Sequence, residues 1–163
     1  MATGYKTQLT RQIGEHTVVA ELGRREIIAT PFAGNVPDYD IVAADLYGNS
    51  MMIQVKAING PSWQFNITSF LDIEMDGKCQ VVKGKKKLNN PDLICVFVLI
   101  KEKKENEFYI FKMKDLQNHF YKNYKGGVRP KNPESMHCAI FPKDIIKYKD
   151  KWNLIAEKFQ TKL

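Results

Sequence analysis

Asp40, Gln54 and Lys56 are the residues whose types and spacing could do chemistry together. They share one stretch, Pro37 to Ala57, which reads as two short strands joined by a tight turn at Tyr47-Gly48-Asn49. Strand side chains repeat every two residues, so Gln54 and Lys56 point to the same face. An odd-length turn places Asp40 across the ladder from Gln54 or Lys56, close enough for a shared ion or water. An even turn would carry Asp40 to the opposite face. The apolar pattern favours the odd turn, because Ile41, Ala43, Ile53 and Val55 then share the core face.

Other elements must hold this stretch in place. Lys6 to Leu22 reads as a helix, with Leu9 and Ile13 spaced i,i+4 and Glu15, Val18, Val19 and Leu22 on one face. Glu15 is a carboxylate on an otherwise apolar stripe. It reads either as an edge residue with its head in water or as a further member of the Asp40 cluster. Gly23 supplies the stop signal. Glu26 to Phe32 is a first strand, and Pro37-Asp38 leads into the hairpin. Asp38 is the alternate to Asp40 as the functional carboxylate, and Asp45 reads as a turn residue capping the hairpin.

Beyond Asn59-Gly60-Pro61-Ser62, a loop, residues 63–67 and 70–73 read as further strand. Asp76 to Asn90 is polar and contains Lys83, Lys85, Lys86 and Lys87, a run that reads as a solvated loop. Asp92 to Ile100 is apolar on both faces, the pattern of a strand covered on both sides. Phe108 to Phe111 is the return strand. Lys114 to Tyr124 is helical, with Leu116, Phe120 and Tyr124 on one face. A basic loop holding Lys125, Arg129 and Lys131 precedes a short strand from His137 to Phe141, and Tyr148 to Phe159 reads as a terminal helix. This order suits an α/β fold: a single domain over residues 1–163 with a mixed central β-sheet flanked by helices.

The net charge of +7 suits a polyanionic partner such as nucleic acid. Cys79, Cys95 and Cys138 are odd in number and lack metal-ligand spacing; Cys95 and Cys138 lie in apolar runs and read as buried free thiols. That usage, with no signal-peptide core and no apolar run long enough to span a bilayer, predicts a cytoplasmic protein with no membrane partner. His16, His119 and His137 form no zinc motif, and neither a Gly-rich phosphate loop nor a Gly-x-Ser-x-Gly nucleophile is present.

Glu15, Asp40 and Gln54-Val55-Lys56, in this order, resemble the active-site hairpin of the PD-(D/E)XK nuclease superfamily, also called restriction-endonuclease-like. The resemblance covers roughly the first third of the chain. Most of that superfamily has Glu or Asp where Gln54 stands; the Gln-x-Lys version resembles a branch that includes methylated-DNA restriction enzymes. The resemblance implies a metal-dependent nuclease, an endonuclease acting on DNA. Its cofactor would be Mg²⁺, with Mn²⁺ able to substitute. Asp40 would be the charged ligand, the Gln54 amide oxygen and the Val55 carbonyl would complete the protein shell, and Glu15 would ligate directly or through a water. Lys56 would position the attacking water and stabilise its deprotonated form. Trp63 could stack on a base at the edge of the site or be a core aromatic. Lys83, Lys85, Lys86, Lys87, Lys125, Arg129 and Lys131 would contact phosphates. A homodimer would fit two cuts, although no interface signature marks the sequence. The alternative is a catalytically inactive nuclease-fold domain that binds nucleic acid or a protein partner.

Overall fold

In the computed structural model, which describes residues 3–34, 36–124 and 134–159, helix α1 (Thr3–Gly23) leads into β1 (Ile28–Pro31), β2 (Ile41–Ala44) and β3 (Ser50–Ile58). Then come β4 (Trp63–Asn66), a 3-10 turn (Ile67–Ser69), β5 (Leu71–Asp76), β6 (Cys79–Lys85), β7 (Ile94–Leu99) and β8 (Glu107–Lys112). Helix α2 (Met113–Tyr124), β9 (His137–Ile140), a 3-10 helix (Pro142–Tyr148) and α3 (Asn153–Phe159) complete the order. The chain forms two compact units, one built from residues 1–63, 93–111 and 141–163, the other from 64–92 and 112–140.

The first unit carries a mixed five-stranded sheet in the order β1-β2-β3-β7-β8, the α/β fold expected. β1 pairs with β2 and β2 with β3 in antiparallel fashion, while β3 and β7 are parallel. Parallel neighbours need a long crossover, and residues 59–93 supply it. The hairpin register is the one the apolar alternation favours. Ile41 pairs with Ile53 and Ala44 with Ser50, leaving the five residues 45–49 as an odd-length loop. Ile41, Ala43, Ile53 and Val55 are all buried on the core face. Asp45 closes the loop as expected: its Oδ1 accepts the backbone N–H groups of Tyr47 and Asn49, each at 2.9 Å. Gly48 takes the left-handed φ of 87° that the turn requires.

One face of the sheet packs on α1 and α3 through Val18, Leu22, Ile155 and Phe159. β7 is buried on both faces, as its apolar run implies. On the other side Phe97 packs against Trp63 and Phe111, with ring centroids 5.1 and 4.7 Å apart. Two expectations need correction. Leu9 and Ile13 are exposed; the buried face of α1 runs through Gly14, Val18 and Leu22 instead. The terminal helix is also shorter than its apolar pattern suggests, because Asp150 adopts a left-handed φ of 53° and separates the Pro142–Tyr148 turn from α3.

The second unit contains the antiparallel β5–β6 hairpin, the β4–β9 pair and α2. Its core includes Phe65, Phe70 and Phe120, in edge-on and tilted contact at centroid distances of 4.8 to 5.8 Å. The buried Gln117 amide ties the unit together by donating to the carbonyls of Phe70 and Lys86. The segment read as a polar loop, residues 76–90, is strand over Cys79–Lys85. Cys95 and Cys138 are buried and Cys79 is exposed. No helix among the described residues is long and apolar enough to cross a membrane.

Candidate active site

Where β2 begins, the sheet opens into a cavity of about 430 Å³ lined by Arg11, Asp38, Asp40, Gln54, Val55 and Lys56, among others. Each wall has a local cause. Helix α1 crosses β3 at Gly14, where a Cβ would collide with the side chain of Ala57. That close approach sets the adjacent turn of α1, with Arg11 and Glu15, beside the hairpin. Asp40 lies one residue before β2, where its N–H donates to the Ile53 carbonyl at 3.0 Å.

The Asp40 carboxylate is held at both oxygens. Oδ2 accepts the Val55 backbone N–H at 2.8 Å, and Oδ1 accepts from Arg11 Nη2 at 2.8 Å. The same guanidinium donates through Nε to Glu15 Oε1 at 2.7 Å. A single cation therefore bridges the two carboxylates, whose side chains are only 14% and 11% exposed while Arg11 is 50% exposed. This bridging raises the Arg11 pKa, chiefly through its hydrogen bond to Glu15. The N–H and C=O of a strand residue point to the same side, so the Val55 carbonyl faces the Asp40 side of β3.

Lys56 shares the Gln54 face and lines the same cavity. Burial lowers the pKa of its ammonium; Asp40 opposes that shift and Arg11 adds to it. Gln54 stands beside Cys95, whose Sγ lies 4.0 Å from Gln54 Oε1.

The structure thus brings Asp40, Gln54, Val55 and Lys56 to one cavity, with Glu15 joined to Asp40 through Arg11. Asp38, the alternate carboxylate, is exposed in a left-handed turn with φ 65°. The oxygen donors present are two carboxylates, an amide and a carbonyl. That set fits a hard divalent cation better than zinc; among the described residues, no three His, Cys, Asp or Glu side chains converge to hold a metal. Arg11 was the member missed in the sequence. An arginine on a helix surface carries no signal of its own, although its i,i+4 spacing to Glu15 was readable.

The nucleic-acid contacts read from sequence fare differently. Trp63 is 1% exposed and donates from Nε1 to the Lys56 carbonyl at 3.0 Å, so it is a core aromatic and not a stacking platform. Lys83 pairs with Glu74 on the neighbouring strand at 3.0 Å. Lys85 donates to Asn118 and lies over the Tyr121 ring. Lys86 and Lys87 are exposed. Lys125, Arg129 and Lys131 lie outside the described residues.

No protein-family model and no curated protein matches this chain. Among solved structures, the chain is similar to a bacterial homing endonuclease, I-Ssp6803I, with a TM-score of 0.55 and 16% identity over 94% of this chain and 95% of that one. The likeness extends over nearly the full length and is one of fold.

Proposed function

We propose that this protein is a DNA endonuclease of the PD-(D/E)XK type, hydrolysing phosphodiester bonds with Mg²⁺. The observation that supports it is the convergence of Glu15 and Asp40 on one guanidinium, in the cavity lined by Gln54 and Lys56. The fold shared with a homing endonuclease and the positive net charge support DNA as the substrate.

Asp40 and Glu15 would hold the cation, with the Gln54 amide oxygen and the Val55 carbonyl beside them. The bound ion supplies Lewis acidity toward the phosphate oxygens. The chain's residues supply the rest. The Val55 N–H fixes the plane of the Asp40 carboxylate. Lys56, its proton loosened by burial, donates a hydrogen bond to the attacking water and stabilises it as it loses its proton. The attacking water gives up a proton to solvent, its oxygen bonds to phosphorus, the bond to the leaving oxygen breaks, and that oxygen takes up a proton from solvent.

Cleavage of supercoiled DNA with Mg²⁺, measured beside DNA binding, tests the reading. Asp40→Ala and Lys56→Ala are expected to lower cleavage by about 10² or more, while DNA affinity stays within about threefold. The closed Arg11 bridge favours a second reading, a nuclease fold that binds nucleic acid without cutting it. Wild-type protein that binds DNA but shows no metal-dependent cleavage would establish that alternative.

A further inference from the structure

We infer that Arg11 is a resident cation, holding Glu15 and Asp40 in place until a divalent ion binds and giving up Asp40 Oδ1 when it does. The inference rests on the metal-dependent reading of this site. It concerns a residue that the Glu15, Asp40, Gln54 and Lys56 constellation does not include.

The two Asp40 oxygens are held differently. Oδ2 is bonded to the Val55 backbone N–H, a donor fixed by the sheet. Oδ1 is bonded to Arg11, a long side chain that is half exposed. One oxygen is therefore anchored and the other exchangeable. Arg11 reaches the carboxylates through a flexible stem, so its release needs rotamer changes and leaves the backbone alone. Its bond to Glu15 is also of the less favourable kind. In an i,i+4 pair the acid is better placed N-terminal to the base, and here the order is reversed.

The charges lead to the same conclusion. Glu15 and Asp40 contribute two negative charges, and the Arg11 guanidinium bonded to both offsets one of them. With Arg11 in place, the attraction of the pair for a divalent ion is weakened. With Arg11 withdrawn, the pair regains an uncompensated charge and Asp40 Oδ1 becomes available. Arg11 would then set the metal concentration at which the site loads, while protecting two mostly buried carboxylates from mutual repulsion before it does.

The test is a Mn²⁺ titration of the full chain without DNA, read by calorimetry and by the shift in melting temperature, for wild type, Arg11→Met, Arg11→Lys and each combined with Asp40→Asn. Met keeps the apolar stem and removes the charge. Lys keeps the charge but cannot bridge both carboxylates through a fork, so it provides a second variant closer to wild type. Arg11→Met is expected to bind Mn²⁺ roughly three- to tenfold more tightly than wild type, with Arg11→Lys between them. Without metal, Arg11→Met should melt lower; with saturating Mn²⁺ its gain in melting temperature should exceed that of wild type. Asp40→Asn should abolish binding in every background. If binding depends on Asp40 but Arg11→Met is equal or weaker in affinity, Arg11 is only a structural bridge and the inference is overturned, while the metal site stands. If no variant shows Asp40-dependent binding, the inference and the metal-dependent reading fall together.

Discussion

Gly14 and Ala57 meet where α1 crosses β3, so closely that a methyl group on Gly14 would overlap the Ala57 methyl. Intrinsic helix propensity alone would favour alanine at an interior helix position by about 1 kcal/mol. The overlap opposes it, because two rigid methyl groups can separate only if the helix lifts from the strand. We expect Gly14→Ala to destabilise the protein by about 1–3 kcal/mol, the cost of an overpacked contact. Ala57→Gly in the same chain should recover part of the loss. Denaturant unfolding of the two single variants and the double variant checks this, and a stabilised Gly14→Ala would show that the helix is free to shift.

Gln54 lines the same cavity as Asp40 and brings no charge. Gln54→Glu would add a carboxylate to that cavity, an arrangement that is unfavourable without a cation. The variant is expected to melt lower than wild type in chelator and to bind Mn²⁺ about three- to tenfold more tightly, having gained an anionic ligand. A calorimetric titration alongside melting curves with and without Mn²⁺ reads both effects. An unchanged affinity would place Gln54 outside the ligand set.

Glu107 contributes to the acid limb of stability. Its carboxylate accepts from Lys101 Nζ at 2.6 Å, Tyr109 Oη at 2.8 Å and Lys149 Nζ at 3.0 Å. These partners, Lys101 foremost, pull its pKa from 4.5 down to about 2. A carboxyl group whose pKa is depressed on folding stabilises the protein above its unfolded pKa and loses that contribution as pH falls through the folded one. The contribution, of order 1–3 kcal/mol, should therefore be complete above pH ~5 and decline from pH ~4.5 toward ~2. Glu107→Gln should be less stable than wild type at pH 6, and the difference should shrink steadily on acidification. Unfolding free energies across that range test the sign, and a constant difference would contradict it.

The hairpin was legible in the sequence because its pattern was redundant. Four apolar residues on one face, a loop with Asp45 and Gly48, and the odd spacing all specify the same register. Helix α1 was legible in extent but not in orientation. A glycine has no side chain to count in a periodicity, so the face through Gly14 was read too far toward Leu9 and Ile13, which are 39% and 49% exposed. Strand β6 was hidden for a related reason. Only Gln80, Val82 and Gly84 turn inward, and the outward Lys83 and Lys85 made the whole segment look like a solvated run. Arg11 was out of reach because its role depends on Asp40, 29 residues away, which no local pattern connects to it.

Trp63 separates a structural from a nucleic-acid role. Its ring packs 5.1 Å from Phe97 and 5.7 Å from Tyr109, and its Nε1–H satisfies the carbonyl of Lys56. Trp63→Phe keeps most of the ring packing but leaves that carbonyl without its indole donor, which costs about 1–2 kcal/mol. Trp63→Ala adds a cavity and should cost about 3–5 kcal/mol. Because the indole is buried, Trp63→Phe protein that remains folded at 25 °C should bind DNA as tightly as wild type, measured by fluorescence anisotropy. A stacking residue would behave the opposite way, with stability retained and DNA affinity falling as the larger ring is lost.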